Sequence, residues 1–285
     1  MARAKIPHRY KILFIAIGAC ALLLSGAFGT LVILLSGAYS TAATKQHFWI
    51  TYRLLETGLK YSVAAAADDI VVPDLSHVAS IEVGYACYRQ HCISCHGAPG
   101  IPSASWGRGQ LPGPSNLAQS GREWPAHHLF YVIKKGIRMS GMPAWEFAIS
   151  EEGIWSTVLF VRFLPQQTRA SYEQLAAEAQ EVSCPRPVRA PPYSKELAQI
   201  TLRQYSCDTC HIIDDLVGPY ARIGPPLTNW SRRKMIAGVL PNTEENLIRW
   251  IRDPQGVSPA TLMPDLEVTE AHAQIMARYL LETDE

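Results

Sequence analysis

The chain has 285 residues, of which 48% are hydrophobic and 18% are charged, so it is long enough for about two domains and must bury packed cores. Its 26 Lys and Arg residues against 25 Asp and Glu residues give a formal net charge of +1. This lacks the basic excess of a protein that binds a phosphate backbone, so a nucleic-acid partner is not expected.

The first predicted element is a membrane anchor. Residues 12–35 form a run of 24 residues without a charge. At about 1.5 Å per residue, such a helix can cross a hydrocarbon core of about 30 Å. The basic residues before it, Arg3, Lys5, Arg9 and Lys11, favour a cytoplasmic N-terminus. Residues 1–40 are therefore predicted to be a cytoplasmic tip and a transmembrane anchor, with the rest of the chain on the outer side.

Two other interpretations of this segment are a cleaved signal peptide that ends near residues 41–43 and a lipoprotein signal that ends at Cys20. A cleavable signal usually has a shorter apolar core, and a lipoprotein sequence normally turns polar after its cysteine. The retained anchor is favoured because the apolar run continues well beyond Cys20. Residues 41–78 are predicted to be a juxtamembrane helix or linker, which either lies near the membrane surface or acts as a spacer.

The motif C-x-x-C-H occurs twice, at Cys92, Cys95 and His96 and again at Cys207, Cys210 and His211. Residues i and i+3 share one face of a helical turn, so the two thiols of a motif can bond to the two vinyl groups of one haem while the histidine binds its iron. A zinc site needs four ligands, and a thioredoxin-like pair needs a βαβ pattern that the sequence lacks. The motifs therefore predict two covalently bound haem c groups.

Each motif is followed by a candidate for the sixth iron ligand. A methionine thioether in that position raises the reduction potential toward the range of electron carriers. In the first unit the candidates are Met139 and Met142, and Met142 is preferred because Pro143 restricts the backbone beside it. In the second unit the candidate is Met263. The predicted metal ligands are thus His96, Met142, His211 and Met263, whereas Met235 and Met276 are expected to fill apolar space.

Each proximal histidine needs an acceptor that fixes its ring tautomer, commonly a backbone carbonyl. Pro225, in the loop 224–227, can supply one to His211. In the first unit, Pro114 or Ser115 can serve.

The order of features predicts two units, 79–172 and 193–285, joined by a proline-rich linker at 173–192. Each unit ends in an amphipathic helix, at about 150–164 and about 269–281. Because strand signals are sparse, the fold class is predicted to be mainly α. Cys87 and Cys184 would face an oxidising compartment and could form a disulfide, which the sequence leaves open.

The motifs with their glycine-proline loops and methionines resemble class I cytochrome c domains. Gly84 and Tyr88 match the helix-crossing positions of that family's first helix, and Tyr279 and Leu280 match its last, whereas Ala198 stands where the second unit's crossing glycine is expected. The resemblance implies an N-terminal transmembrane helix followed by two tandem cytochrome c-like helical domains.

The whole chain resembles the membrane-anchored di-haem c-type cytochromes of bacterial respiratory chains, including those that serve haem-copper oxidases. This resemblance implies a single-pass inner-membrane protein with its haem domains in the periplasm. It also implies a non-catalytic relay of electrons from a quinol-oxidising complex or dehydrogenase toward a terminal oxidase. An alternative is a fixed cytochrome subunit of a membrane oxidase or dehydrogenase complex. A haem peroxidase is disfavoured, because it needs an open iron position. The resemblance leaves the donor, the acceptor and the haem potentials unidentified.

Overall fold

The computed structural model describes residues 8–187, 193–219 and 223–282, and this part of the chain is mainly helical. The predicted mainly α fold class and the single N-terminal apolar helix are therefore confirmed. Contacts divide the chain into two compact units, Met1–Ala190 (unit 1) and Pro191–Glu285 (unit 2). Arg3 and Lys5 of the predicted cytoplasmic tip and residues 188–192 of the predicted linker lie outside the described residues.

Nine α-helices form the described part of unit 1. They are α1 (His8–Leu35), α2 (Trp49–Ala67), α3 (Leu75–Val78), α4 (Ile81–His91), α5 (Ile93–His96), α6 (Leu117–Glu123), α7 (Ala126–Lys135), α8 (Glu151–Phe163) and α9 (Arg169–Glu178). Short 3₁₀ turns occur at Gly107–Gly109 and Leu164–Gln166.

Helix α1 is long and apolar enough to cross a membrane, and none of the described residues outside it buries the 24 residues Ile12–Leu35. An apolar helix without a protein neighbour needs an apolar environment, because exposing it to water costs about 25 cal/mol for each Å² of apolar surface. Its length and composition are therefore compatible with a lipid surrounding.

The centre of unit 1 is a close crossing of α4 and α8. A Cβ atom added to Gly84 would lie 2.1 Å from the Ser156 carbonyl oxygen, so only glycine permits this approach. Ser80 and Ser150 cap the two helices by accepting hydrogen bonds from backbone N–H groups. Packed on the crossing is a buried aromatic cluster, which consists of Tyr85, Tyr88, Phe160 and Tyr172.

Residues 164–187, which we call the strap, return from the end of α8 to its beginning. Helix α9 packs on α4 and buries Leu175, and Cys184 forms a disulfide with Cys87 of α4. The Pro185 carbonyl then accepts a hydrogen bond of 2.9 Å from the Ser150 N–H group. This differs from the predicted linker at 173–192, because periodic apolar residues and the disulfide hold residues 173–187 on unit 1.

Unit 2 contains α10 (Lys195–Gln204), α11 (Glu244–Arg252), α12 (Pro254–Val257) and α13 (Glu270–Glu282). It also has 3₁₀ turns at Cys207–Thr209 and Trp230–Arg232 and a short antiparallel hairpin of β1 (Met235–Ile236) and β2 (Leu240–Pro241). Helices α10 and α13 pack together, with Ala198 fully buried where unit 1 has its crossing glycine. The Tyr279 hydroxyl of α13 donates a hydrogen bond of 2.6 Å to the Asp214 carbonyl, which ties the last helix to the loop after the second motif.

Candidate functional site

The first C-x-x-C-H motif forms one tight turn at the end of α4. The N–H groups of Cys95 and His96 both donate to the Cys92 carbonyl, at 3.1 and 2.9 Å. Gly97 ends the turn with a φ of +65°, a conformation that favours glycine. The Tyr88 hydroxyl donates to the Gly97 carbonyl at 2.6 Å, so the turn is bonded back to α4. The helical spacing expected for two thiols on one turn is therefore present.

The His96 ring is oriented by a backbone carbonyl. Its Nδ1 atom lies 2.9 Å from the Ser115 carbonyl oxygen, which selects Ser115 over Pro114 as the acceptor. A carbonyl oxygen only accepts, so Nδ1 carries the proton and Nε2 keeps a lone pair for a metal. Burial lowers the pKa of His96, and the hydrogen bond to Ser115 partly opposes this. Burial thus favours the neutral form of the ring, the form in which an imidazole can bind a metal.

A cavity of about 540 Å³ adjoins this ring. Tyr88, Cys95 and His96 line it together with the glycine- and proline-containing loop 113–118. The cavity is open to solvent on one side, and polar and apolar groups line it about equally. A thiol and an imidazole at one open cavity suit the edge of a haem that is attached covalently.

The two candidate methionines of unit 1 differ sharply in environment. Met139 is 94% exposed, with a φ of +58° at the tip of its loop. Met142 is half-buried against the core cluster of unit 1, which Cys92 also contacts. Its N–H group donates to Ser140 Oγ at 3.1 Å, and its carbonyl accepts from the Ile137 N–H group at 3.1 Å. The loop therefore turns Met142, and not Met139, toward the interior.

The second motif has a related arrangement in unit 2. The His211 N–H group donates to the Cys207 carbonyl at 2.9 Å, and His211 Nδ1 lies 2.7 Å from the Pro225 carbonyl oxygen. This is the acceptor that the sequence predicted. The Gly224 N–H group donates to the Cys210 carbonyl at 2.8 Å, so the acceptor loop is also bonded directly to the motif.

Gly224 allows that loop to pass over the imidazole. A Cβ atom at this position would lie 2.4 Å from Cε1 of His211, well inside contact distance. The ring and the backbone therefore pack face to face only because residue 224 has no side chain.

Met263 is half-buried against the core of unit 2, and its N–H group donates to Thr261 Oγ1 at 3.2 Å. Its neighbour Leu262 is 94% exposed. Met276 is buried in the core, as expected, whereas Met235 is 45% exposed in β1 and does not fill apolar space as predicted. The exposed hairpin, which the sequence did not indicate, is the reason for that difference.

The first cysteine of each motif lacks the lowered thiol pKa of a redox-active cysteine. Burial raises the pKa of Cys92 to about 12 and that of Cys207 to about 11. Reactive and metal-binding cysteines instead have a lowered pKa, because the thiolate is the reactive form. Within the described ranges, no group of three or more His, Cys, Asp or Glu side chains could hold a metal ion.

The sequence did not indicate a set of contacts beside the His211 acceptor, made by Trp230, Arg233 and Asn242, which we call the latch. Arg233 stacks on the Trp230 ring and donates to the carbonyls of Pro226 and Thr228, the latter at 3.2 Å. Asn242 donates to the Trp230 and Arg233 carbonyls, each at 3.0 Å. The latch thus fixes the loop that contains Pro225. Arg233 stands in a run of basic residues that has the pattern of a solvated surface, so the sequence carried no signal for this role.

Comparisons with known proteins agree with this geometry. Residues 79–161 match the family described as cytochrome c oxidase, cbb3-type, subunit III. The chain is 38% identical over 76 residues to cytochrome c oxidase subunit 2 of Alkalihalophilus pseudofirmus, covering 26% of this chain and 21% of that protein. It is 35% identical over 100 residues to cytochrome c oxidase subunit 2 of Bacillus sp. strain PS3, covering 34% of this chain and 28% of that protein.

The matched stretches span only about a quarter of the length of these two relatives. No solved structure matches the chain significantly. The family match contains the first C-x-x-C-H motif, Met142 and every residue that lines the cavity except Leu164. Residues 79–161 are therefore similar to a cytochrome c domain, the one described for subunit III of cbb3-type oxidases.

Proposed function

We propose that this chain is a membrane-anchored electron carrier with two covalently bound haem c groups. The observation that carries the proposal is shared by both units. In each, the motif histidine is oriented by a backbone carbonyl, Ser115 at 2.9 Å for His96 and Pro225 at 2.7 Å for His211. This leaves an Nε2 lone pair in each unit, directly beside two thiols on one turn.

The residues have separate roles in this proposal. The four thiols, of Cys92, Cys95, Cys207 and Cys210, would form the thioether bonds to the two haems. His96 and His211 would bind the irons, and Met142 and Met263 would occupy the sixth positions. The haem iron would supply one-electron oxidation and reduction. The protein's part is to fix each imidazole and methionine and to keep water from the interior.

The anchor and the disulfide support a location for the two units. Helix α1 would cross the bacterial inner membrane once, and the units would lie in the periplasm. The bridge between Cys87 and Cys184 fits that side, because disulfides persist in the periplasm and are rare in the cytosol.

The partners follow from the similarity to oxidase subunits. The carrier would receive electrons from a quinol-oxidising complex or a dehydrogenase and deliver them to a terminal oxidase. A second candidate, a fixed subunit of an oxidase complex, is favoured by one observation: the matched family and both relatives are themselves named as oxidase subunits.

The haem content can be tested on the purified full chain. After denaturation, intact mass should show two covalent haems. Replacing Cys92 and Cys95 by Ala should remove one, and replacing Cys207 and Cys210 should remove the other. A denatured chain without covalent haem would refute the proposal, and loss of both haems from either double variant would refute two independent sites.

Extraction of native membranes in mild detergent separates the two candidate functions. A free relay should purify without a stoichiometric partner and should reduce or oxidise an added terminal oxidase. A constant ratio to a haem-copper partner through several columns would instead establish the fixed subunit.

A further inference from the structure

Helix α2 leaves a large apolar surface uncovered. Its last turns dock on unit 1, where Val63 and Ala67 are buried and the helix packs against α7. The side chains that remain exposed include Trp49, Ile50, Tyr52, Leu54, Leu55 and Tyr61. An exposed apolar patch of this kind on a helix marks a surface that binds a partner or a membrane.

The charged residues of α2 form a line along one side of the helix, on which Trp49 also lies. Arg53, Glu56 and Lys60 pair with one another, at 3.5 Å for Arg53–Glu56 and 3.0 Å for Lys60–Glu56. At about 100° per residue these three fall within an arc of about 60°. Ile50, Leu54 and Tyr61 fall within a narrower arc, centred about 100° round the helix from the charged line. The helix therefore has an uncharged apolar face beside a polar, ion-paired one.

The beginning of α2 is held close to the end of α1. The Tyr39 hydroxyl is hydrogen-bonded to His47 Nδ1, and the Tyr39 ring makes an edge contact with Phe48 at 5.5 Å between centroids. Tyr39 follows shortly after Leu35, the last residue of α1, and Phe48 directly precedes α2. The connection is thus folded on itself, with Tyr39 in contact with the residues that directly precede α2.

We propose that α2 lies in the interfacial region of the lipid bilayer and holds unit 1 at the membrane surface. The inference rests on the proposed membrane crossing of α1. Ile50, Leu54 and Tyr61 enter the boundary between headgroups and acyl chains. Arg53 and Lys60 lie beside anionic headgroups, the arrangement of interfacial amphipathic helices. Lipid is favoured over a protein partner because α2 follows the apolar helix α1 after a short connection and exposes Trp49, Tyr52 and Tyr61, and Trp and Tyr are enriched at that depth.

This placement of α2 would fix the position of unit 1 at the membrane. Unit 1 is held at one height and orientation relative to the bilayer by α1 and α2 together, so its haem would meet partners that are themselves embedded in the membrane. The haem of unit 1 and the site of a membrane-embedded partner would then both be fixed relative to the bilayer. Fewer relative orientations have to be searched in that case, and this search is what slows the association of two free proteins.

Photo-crosslinking of the full haem-loaded chain tests the proposal. The chain is placed in nanodiscs of phosphatidylethanolamine and phosphatidylglycerol, with p-benzoylphenylalanine at Leu54 and, in a second variant, at Tyr61. The matched control is the same substitution at Leu262, which is even more exposed, 94% against 68% for Leu54. Leu23 in α1 is the positive control for the anchor. Each variant is kept only if its haem spectrum is unchanged.

We expect lipid adducts at Leu23, Leu54 and Tyr61, each several-fold more abundant than at Leu262. Adducts at Leu23 without adducts at Leu54 and Tyr61 would overturn the interfacial helix and leave the anchor intact. Absence of adducts at Leu23 as well would refute the anchor itself. Adducts between Leu54 and another protein in native membranes, in place of lipid, would show that a partner protein covers the patch and would also overturn the proposal.

Discussion

The hydroxyl of Tyr88 and the carbonyl oxygen of Gly97 are 2.6 Å apart. This hydrogen bond joins the residues on either side of the turn that contains the first C-x-x-C-H motif. Both residues are buried. The Tyr88→Phe change leaves the Gly97 carbonyl without its donor, and an unsatisfied buried group of this kind costs about 1–3 kcal/mol. We expect a loss of that size in guanidinium unfolding of the holoprotein in detergent.

Tyr61→Phe is the matched control for that measurement, since Tyr61 is 75% exposed and its hydroxyl can reach solvent. It should leave the unfolding midpoint unchanged. Equal effects of the two changes would show that the bond to Gly97 does not stabilise the turn.

Gly84→Ala should destabilise unit 1 at the crossing of α4 and α8. The new methyl group would lie 2.1 Å from the Ser156 carbonyl oxygen and 2.7 Å from Cβ of Phe160, so the helices must separate. Overpacking of this kind costs about 1–3 kcal/mol. The same change at Gly58 in α2, where a Cβ meets nothing within 4 Å, should instead stabilise by about 0.5–1 kcal/mol through helix propensity. Thermal unfolding of both variants gives the comparison, and the same sign for both would contradict the close crossing.

Gly224→Ala should disturb the second haem and spare the first. Its Cβ would lie 2.4 Å from the His211 ring and would push the imidazole or the Pro225 carbonyl out of place. The loss of an acceptor beyond a metal-bound histidine weakens metal binding by about 10–100-fold. The control is Gly113→Ala in the corresponding loop of unit 1, where the nearest atom is the Gln110 carbonyl oxygen at 3.8 Å. Potentiometric titration should show one shifted haem for Gly224→Ala and none for Gly113→Ala. A shift of both haems by either change would disprove separate sites.

Met142→Ala should open the sixth position of the first haem. The loop turns Met142 inward, while Met139 is 94% exposed. Loss of the thioether should let carbon monoxide bind one reduced haem and should lower its potential. Met139→Ala should behave as the unaltered chain does. Carbon monoxide binding to the unaltered reduced chain would show that one iron has no firm methionine ligand.

Removal of the Cys87–Cys184 bridge should weaken unit 1. The bridge closes a sequence separation of 97 residues, and loss of a native disulfide typically costs about 2–5 kcal/mol. Cys184→Ala should therefore lower the unfolding midpoint, and a reductant should have little further effect on that variant. Cys20→Ala, which removes an exposed free thiol, is the control. An unchanged midpoint for Cys184→Ala would show that the strap contributes nothing to stability.

Local patterns were enough to predict α8 of unit 1 and α13 of unit 2. The predicted ranges 150–164 and 269–281 correspond to Glu151–Phe163 and Glu270–Glu282. The Pro225 acceptor was also accessible, because a glycine-proline loop leaves few other carbonyls near His211. In these cases the residues whose interactions determine the structure lie close together in the sequence, or proline restricts the backbone.

Contacts between residues that are far apart in the sequence could not be predicted in this way. The prolines after Cys184 gave the pattern of a linker, yet the partner that holds this segment, Cys87, lies 97 residues earlier. The choice between Pro114 and Ser115 depended on a rotation of the loop that no residue type specifies. Arg233 was missed because its acceptors are backbone carbonyls, which leave no signal in the side-chain pattern.

In the proposed topology, the bridge between Cys87 and Cys184 would impose an order on biogenesis. Cys87 lies on α4, which ends directly before Cys92, and both thiols would reach the oxidising side of the membrane before Cys184 has been exported. A premature disulfide between Cys87 and Cys92 would block the thiol of Cys92 for thioether formation and would leave Cys184 without its disulfide partner. With two haems, as proposed, maturation would have to keep two thiol pairs reduced until the haems are attached while it oxidises Cys87 and Cys184.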